Sequence, residues 1–205
     1  IKMLDSKMKI VRGFNKNNIK YKITNSPKHF RIGSKDYLII NTEKKLYITD
    51  RRGNIRIKVP ENLNVSGNEI YVNKNSILTI DNNNNLIRIS LNGKISKKPL
   101  PLESKYLITS NNKNTTYISE NILNINNKNI ELQYGNYSKP KLLNNEFISI
   151  TNFDESKVYL FDINGDPIDR FPIFGNSIID LTTNNEKNKL IAVCGDENEI
   201  LTYSF

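Results

Sequence analysis

Residues 45–60, KLYITDRRGNIRIKVP, decide the fold, because apolar and polar side chains alternate on both sides of a turn that carries Gly53. Residues 85–95 (NLIRISLNGKI) and residues 157–168 (KVYLFDINGDPI) repeat this arrangement. Alternation with a period of two is the pattern of a β-strand, and a glycine-bearing turn between two such tracts is typical of a hairpin. Each of the three segments therefore predicts a strand that ends in a turn, and residues 45–60 also predict the strand that follows the turn.

The spacing of the turns shows that the chain is a repeat protein. Gly53 and Gly93 are 40 residues apart, and Gly93 and Gly165 are 72 residues apart, or two steps of 36. A weaker turn at residues 126–129 fills the gap, and Gly13 lies 40 residues before Gly53. A period of about 40 residues built from short strands is typical of propeller blades.

The rest of the chain supports an all-β fold. About 17 short segments have strand patterning, and none has a sustained helical period. Short polar turns favour antiparallel sheets, because parallel strands need long crossover connections. We predict a β-propeller of about five four-stranded blades, or more in a longer chain. We expect one domain over residues 1–205, with residues 198–205 completing a blade, and Ile1 in place of Met favours a processed or truncated start.

Composition excludes several classes of protein. No apolar run reaches the roughly 18 residues of a membrane-spanning helix, and the N-terminus lacks the apolar core of a signal peptide. The single cysteine, Cys194, excludes an internal disulfide and a multi-cysteine metal site. Its strand-like surroundings predict a buried, inert thiol. We expect the single histidine, His29, to lie on the surface in a turn at residues 26–29.

The positive net charge of the chain favours acidic partners but does not identify their class. Thirty Lys and Arg against 21 Asp and Glu give a formal net charge of +9. Such a surface attracts nucleic acid, anionic lipid or an acidic protein. The lysines are spread along the chain, however, and no nucleic-acid-binding motif is present. We predict no specific nucleic-acid binding.

One turn resembles a calcium loop. Asp162, Asn164, Asp166 and Asp169 place oxygen-bearing side chains at short intervals. The glycine stands at the fourth position, and the glutamate that an EF-hand needs at its twelfth position is missing. Asn-Gly between two apolar tracts is also a strong hairpin signal. We interpret the segment as a turn and keep a calcium site as the alternative; no other cofactor is predicted.

The C-terminal part resembles a known group of proteins. Residues 170–181 (RFPIFGNSIIDL) and 191–200 (IAVCGDENEI) contain a Phe-Pro-x-x-Gly-Asn-Ser turn and a Gly-Asp turn before a strand ending in Tyr203. Over residues 146–205 this block resembles the last blade of large, poorly characterised proteins of Bacteroidota, especially flavobacteria. The resemblance implies a propeller outside the cytoplasm, tethered through an upstream membrane segment, and it implies no catalytic residue. The repeat is also similar to WD-type and quinoprotein-type propellers, although the chain lacks tryptophan.

Signals for enzymatic chemistry are few. The sequence has no Gly-x-Ser-x-Gly elbow, no phosphate-cradling glycine loop and no zinc signature. Asp36, Asp50, Asp162 and Asp180 are candidates for a glycosidase-like carboxylate pair, yet their spacing also suits turn caps. A propeller hydrolase or lyase is therefore an alternative.

The leading hypothesis is a noncatalytic interaction or scaffold module in the bacterial cell envelope, which binds a protein partner through blade loops. Further alternatives are a carbohydrate- or calcium-dependent ligand-binding propeller and, given the Asn-rich tracts, an intracellular scaffold of a eukaryote with an AT-rich genome. The oligomeric state is left open. The candidate partner contacts are charged or aromatic residues of predicted turns: Arg51, Arg52, Lys97, Lys98, Phe171 and Phe174.

Overall fold

The computed structural model describes residues 1–15, 19–61, 63, 65, 69–100, 107–183, 189–197 and 199–205. Within those residues the structure contains no helix, and 19 strands form five antiparallel sheets. The predicted all-β fold of propeller type, with about five blades, is therefore confirmed. The chain divides into two compact units, Ile1–Pro101 and Leu102–Phe205. The single domain expected over residues 1–205 stays a prediction.

The first unit contains two four-stranded sheets, which we call blade 1 and blade 2. Each has its strands in chain order, joined by short turns. Blade 1 consists of β1 (Lys28–Ile32), β2 (Lys35–Asn41), β3 (Leu46–Thr49) and β4 (Ile55–Ile57), and blade 2 of β5 (Tyr71–Asn73), β6 (Ser76–Ile80), β7 (Asn85–Ser90) and β8 (Ile95–Pro99).

The second unit contains blades 3 to 5, again with strands in chain order. Blade 5 has three strands among the described residues, and β19 forms one of its edges. Blade 3 consists of β9 (Leu107–Ser110), β10 (Thr115–Ser119), β11 (Ile122–Ile125) and β12 (Lys128–Glu131), blade 4 of β13 (Lys141–Leu143), β14 (Phe147–Asn152), β15 (Lys157–Asp162) and β16 (Ile173–Phe174), and blade 5 of β17 (Asp180–Thr183), β18 (Lys189–Cys194) and β19 (Ile200–Ser204).

Blade 4 shows why the blades need one another. Successive side chains of a strand point to opposite faces, so Tyr159 and Phe161 lie on one face of β15 and Val158 and Leu160 on the other. The first pair packs into a core cluster with blade 3, and the second pair into a cluster with blade 5. Both faces of blade 4 are apolar and are covered only by its neighbours. In the first unit, a third cluster joins blades 1 and 2 in the same way.

One five-residue turn recurs at four places. It starts at Asp5, Asp50, Asp81 or Asp162, whose Oδ1 accepts hydrogen bonds of 2.8 to 3.0 Å from the third and fifth backbone N–H groups. The Asp backbone N–H also donates to the fifth carbonyl, and its own carbonyl accepts from the fourth N–H. The fourth residue has a left-handed backbone in every copy, with φ between 58° and 82°. We call this arrangement the Asp turn.

The turn between the third and fourth strands also packs on the preceding blade. In blade 4, a Cβ added at Gly165 would lie 3.0 Å from Ile130 Cδ1 of blade 3, and Asn126 of blade 3 donates its Nδ2 to the Ile163 carbonyl at 3.0 Å. In blade 2 the corresponding glycine is Gly93, and a Cβ added there would lie 3.7 Å from Ile57 Cγ2 of blade 1. The repeated glycine therefore marks a contact between neighbouring blades as well as a turn.

The structure corrects several sequence-based expectations about strands. His29 lies on strand β1, not in a turn, and strands β8, β13 and β16 had no predicted counterpart. The patterning of residues 9–12 predicts a strand, but they form only an isolated bridge, between Leu4 and Ile10. Tyr106, where a strand predicted over residues 106–109 begins, and Asn198, where the segment expected to complete a blade begins, lie outside the described residues. Residues 198–205 are also expected to pair with an N-terminal strand, and this pairing stays a prediction.

Cys194 is exposed, so the expected burial of its thiol is wrong. It does lie on a strand, β18, but Ile191 and Val193 take the buried face and leave Ala192 and Cys194 on the other. Along the described residues, no helix has the length and apolar character needed to cross a bilayer.

Replacing Gly165 by alanine should destabilise the protein more than replacing Gly13. The two glycines have φ of 82° and 83°, so both variants carry the strain of a left-handed alanine, about 1 kcal/mol. Only at Gly165 does the added Cβ crowd Ile130, which should cost about 1 kcal/mol more, because nothing lies within 4 Å of a Cβ at Gly13. Urea unfolding of both variants measures the difference. Equal losses would show that the turn does not press on blade 3.

The carboxylate of Asp81 should stabilise its turn in a pH-dependent way. Asp81 is 1% exposed, and this burial raises its pKa. Hydrogen bonds from Asn85, Asn83 and the Lys97 ammonium lower the pKa by more than burial raises it, so the net pKa lies below the ordinary 3.8. Asp81→Ala should lower the free energy of unfolding by about 2 kcal/mol at neutral pH. Because the folded-state pKa is depressed, this contribution is complete above pH 3.8 and is lost as the pH falls below it.

Asp5→Ala is the control for this effect, since Asp5 makes the same two backbone contacts in an exposed turn. We expect a loss of less than about 1 kcal/mol there. Denaturation at neutral pH and at pH 3 checks both points. A penalty for Asp81→Ala as large at pH 3 as at neutral pH would show that packing, and not the charge, is responsible.

Candidate functional site

A cleft in blade 1 brings together charged residues from two neighbouring turns. It lies where the β1–β2 turn meets the β3–β4 Asp turn and has a volume of about 270 Å³. We call it the blade 1 cleft. Its lining residues are Ser34, Lys35, Asp36, Asp50, Arg51, Arg52, Asn54 and Arg56.

Asp36 contacts three basic side chains at the edge of the cleft. It is only 7% exposed, and its Oδ1 lies 3.0 Å from His29 Nε2 and 3.9 Å from Arg31 Nη1, while its Oδ2 lies 3.1 Å from Arg51 Nε. The strand register explains the first two contacts, since Arg31 pairs directly with Asp36, and His29 lies two residues away on the same face of β1. The hydrogen bond with His29 lowers the pKa of Asp36, burial opposes it, and the charges of Arg51 and Arg31 reinforce it.

Asp50 shapes the second wall. Its Oδ1 accepts the backbone N–H groups of Arg52 and Asn54, which fixes the turn and places Arg51 and Arg52 at its tip. Burial raises the pKa of Asp50, but hydrogen bonds from Asn54 and Arg52 and the charge of Arg56 lower it below its ordinary value. Both carboxylates of the cleft therefore remain ionised at neutral pH.

The cleft is basic despite these two acids. Its lining contains four cations, Lys35, Arg51, Arg52 and Arg56, against Asp36 and Asp50, for a formal net charge of two positive units. The Arg51 side chain is 74% exposed, although its Nε faces Asp36. Most of its guanidinium group therefore remains open to a ligand. Arg56 lies over the Tyr37 ring, 5.2 Å from the ring centre, which holds it against the sheet.

The structure brings Arg51 and Arg52 together in the lining of the blade 1 cleft, and the other four predicted contacts are not among its lining residues. Lys97 and Lys98 lie on β8 of blade 2, where Lys97 Nζ is 3.4 Å from Asp81 Oδ2. Phe174 belongs to the second unit and is 42% exposed. Phe171 is partly buried, contrary to the exposed turn expected for it, because its ring meets Phe205 edge-on at 5.6 Å. The assignment of these six residues as partner contacts stays a prediction.

The four candidate carboxylates of a hydrolase belong to three different blades. Asp36 and Asp50 line one cleft, whereas Asp162 and Asp180 belong to blades 4 and 5. Asp162 caps its own turn, and Asp180 forms an ion pair with Lys141. The pKa values of Asp36 and Asp50 are lowered, which is opposite to the shift that a catalytic acid needs.

The C-terminal motif joins blades 4 and 5. Asn176 donates its backbone N–H to the Cys194 carbonyl at 2.7 Å and its Nδ2 to Asp196 Oδ1 at 2.6 Å, and Ser177 Oγ accepts the Cys194 N–H at 2.9 Å. A Cβ at Gly175 would overlap the Val193 side chain, so only glycine fits beside β18. The residues that carry the resemblance therefore connect the two blades.

The segment with the alternative of a calcium site begins with an Asp turn, as its hairpin signal predicts. Asp162 Oδ1 accepts two backbone N–H groups, and its Oδ2 accepts Asn164 Nδ2 at 3.0 Å. Lys128 Nζ lies 2.7 Å from Asp166 Oδ1, and Asp169 is exposed. Burial raises the pKa of Asp162, but the hydrogen bonds from Asp166 and Asn164 lower it below its ordinary value. In the described part of the chain, no group of three or more His, Cys, Asp or Glu side chains could hold a metal ion.

Sequence reasoning missed four of the eight residues that line the cleft and did not bring the other four together. Lys35 and Arg56 were not candidates, and His29 and Asp36 were considered separately. Pairing of β1 with β2 is what joins these residues, and a turn assigned at residues 26–29 concealed that pairing. A Gly33-Ser34 turn between the alternating residues 28–32 and 35–41 is the signal that could have revealed the hairpin.

Solved structures with a similar fold include propeller proteins. A streptogramin B lyase has a TM-score of 0.56 and 15% identity, covering 91% of this chain and 70% of that chain. A eukaryotic initiation factor has a TM-score of 0.56 and 10% identity, with 92% and 52% covered. BBS1N in complex with ARL6DN has a TM-score of 0.50 and 11% identity, with 82% and 60% covered.

At these identities the likeness shows the fold alone. The chain spans just over half of the initiation factor and 60% of BBS1N. No protein-family model matches the chain, and no curated protein matches its sequence.

We expect millimolar calcium to leave the melting temperature unchanged, because the Asp162 oxygens are already hydrogen-bonded and Lys128 neutralises Asp166. Thermal unfolding with calcium and with a chelator measures this. A calcium-dependent rise that Asp162→Asn and Asp169→Asn each abolish, while Asp5→Asn does not, would establish the calcium alternative.

Proposed function

We propose that this chain is a noncatalytic propeller module that binds a protein partner through the turns of its blades, with the blade 1 cleft as the main contact. The observation that carries the proposal is the placement of Arg51 beside the buried Asp36, next to Arg52, Lys35 and Arg56. Arginine side chains held by a carboxylate lose little further freedom on binding. Such residues are typical anchors of protein interfaces.

The electrostatics favour binding over catalysis. A general acid needs a raised pKa, whereas the pKa values of Asp36 and Asp50 are both lowered by their neighbours. Each carboxylate fixes part of the cleft: Asp36 contacts Arg31, Arg51 and His29, and Asp50 holds the backbone of its turn. These roles fit a rigid recognition surface.

The proposed location is the bacterial cell envelope, with attachment through an upstream anchor. This part of the proposal is supported by the sequence resemblance over residues 146–205, whose turn residues join blades 4 and 5. Fractionation of the native host tests it. Recovery of the full-length protein in the cytoplasm would favour the intracellular scaffold instead.

Alanine substitutions in three pairs test the contact residues. Arg51→Ala with Arg52→Ala should reduce partner recovery in pull-downs about tenfold, the loss expected when buried interface arginines are removed. Lys97→Ala with Lys98→Ala tests the second pair of predicted contacts. Lys74→Ala with Lys94→Ala is the matched control, since it removes the same charge from two exposed lysines of blade 2 that are not predicted contacts. We expect it to have an effect of less than about threefold.

Phe174→Ala tests the second unit, and Phe171→Ala needs a melting curve beside it because that ring packs in the core. The partner is identified by lysine-reactive crosslinking of the full-length protein in its host, where crosslinks from Lys35 report on the cleft. Unchanged partner recovery after all six alanine substitutions would refute the contact assignment.

A further inference from the structure

We infer that the blade 1 cleft recognises an acidic peptide segment, in which two carboxylate side chains meet Arg51 and Arg52. The inference rests on the proposed function, because it names the chemistry of the partner that the cleft would bind. It is carried by the arrangement of the charges in the cleft, by the shape of the cleft and by the lack of a stacking surface.

The buried Asp36 prepares the cleft for an anion. Arg51, Arg31 and His29 approach its two oxygens at 3.1, 3.9 and 3.0 Å, so these side chains are held by one internal partner. The Arg51 and Arg31 side chains remain 74% and 64% exposed. A guanidinium group with one edge fixed can present its remaining N–H groups to a carboxylate with little loss of conformational freedom.

The net charge of the cleft lining indicates how many negative charges a matching ligand carries. The lining carries two positive charges in excess, and Arg52 and Lys35 have no acidic partner among the described residues. Two ligand carboxylates would neutralise this excess. A volume of about 270 Å³ is large enough for a few side chains and too small for a folded domain, so a flexible segment fits best.

The same features disfavour nucleic acid. Asp36 and Asp50 leave an excess of only two positive charges in the cleft, so few phosphates of a nucleic-acid backbone could be neutralised there. Proteins that hold single-stranded nucleic acid stack its bases on aromatic rings, but none of the eight lining residues is aromatic. The nearby Tyr37 ring is 3% exposed and lies under Arg56.

A peptide of defined sequence tests the inference on the full chain. The probe is a dye-labelled peptide of alternating Glu and Ser, and the control peptide has Gln at every Glu position. Fluorescence anisotropy should show at least about tenfold weaker binding of the Gln peptide, because charge-assisted hydrogen bonds to Arg are lost. Equal binding of the two peptides would overturn the inference.

Matched variants locate the binding site. Arg51→Gln with Arg52→Gln should weaken binding of the Glu peptide by about tenfold or more. Lys74→Gln with Lys94→Gln removes the same charge from two exposed lysines of blade 2, outside the cleft and outside the six predicted contacts, and should weaken it less than about threefold. Equal weakening would show a diffuse charge effect and overturn the inference. If the cleft variant fails to fold, amide chemical shifts of the wild-type protein decide: changes must centre on Ser34, Lys35 and Arg52.

Competitors distinguish the other anions. An excess of a single-stranded oligonucleotide or of phosphatidylserine vesicles should displace the labelled peptide only weakly. The inference would be overturned if either competitor displaced the labelled peptide at a lower concentration of negative charge than the unlabelled Glu peptide needs. If the Glu peptide does not bind but a partner is still captured through Arg51 and Arg52, the inference of an acidic ligand is refuted and the proposed function stands. Peptide binding with no partner in the host would instead refute the proposed function.

Discussion

A strand in the middle of a blade has two apolar faces, and covering both of them is the constraint on which the rest of the structure depends. Blade 4 shows it directly, because alternate residues of β15 belong to core clusters with blades 3 and 5. No single sheet of this kind can remove its apolar surface from water alone. The repeat of about 40 residues follows, since each copy must present the same pair of faces to its neighbours.

Once the sheets are packed, the turns are the part of the chain that can differ between copies. Aspartate has two uses there. In the Asp turns its carboxylate fixes the backbone, and at Asp36 it fixes side chains of opposite charge. The blade 1 cleft combines both uses within a few residues, so its arginines stand on a stiff support.

The sequence predicted the repeat, the strands that precede Gly53, Gly93 and Gly165, and the all-β class, because these depend on local alternation and turn chemistry. It placed β1 wrongly, since Ser26 and Pro27 resemble a turn and the pairing with β2 is not visible locally. Burial of Cys194 was wrong because alternation does not reveal which face of a strand is covered. The cleft depends on the register between strands, which a single sequence does not specify.

The contact between each glycine turn and the sheet before it has a direction. The turn of blade 2 meets the last strand of blade 1, and that of blade 4 meets the last strand of blade 3. An interface between unlike surfaces can be extended by one more copy without inventing a new surface. A gene that duplicates or loses one segment of this length would therefore keep compatible junctions, and families built this way can change their number of copies during evolution while the packing of each copy is preserved.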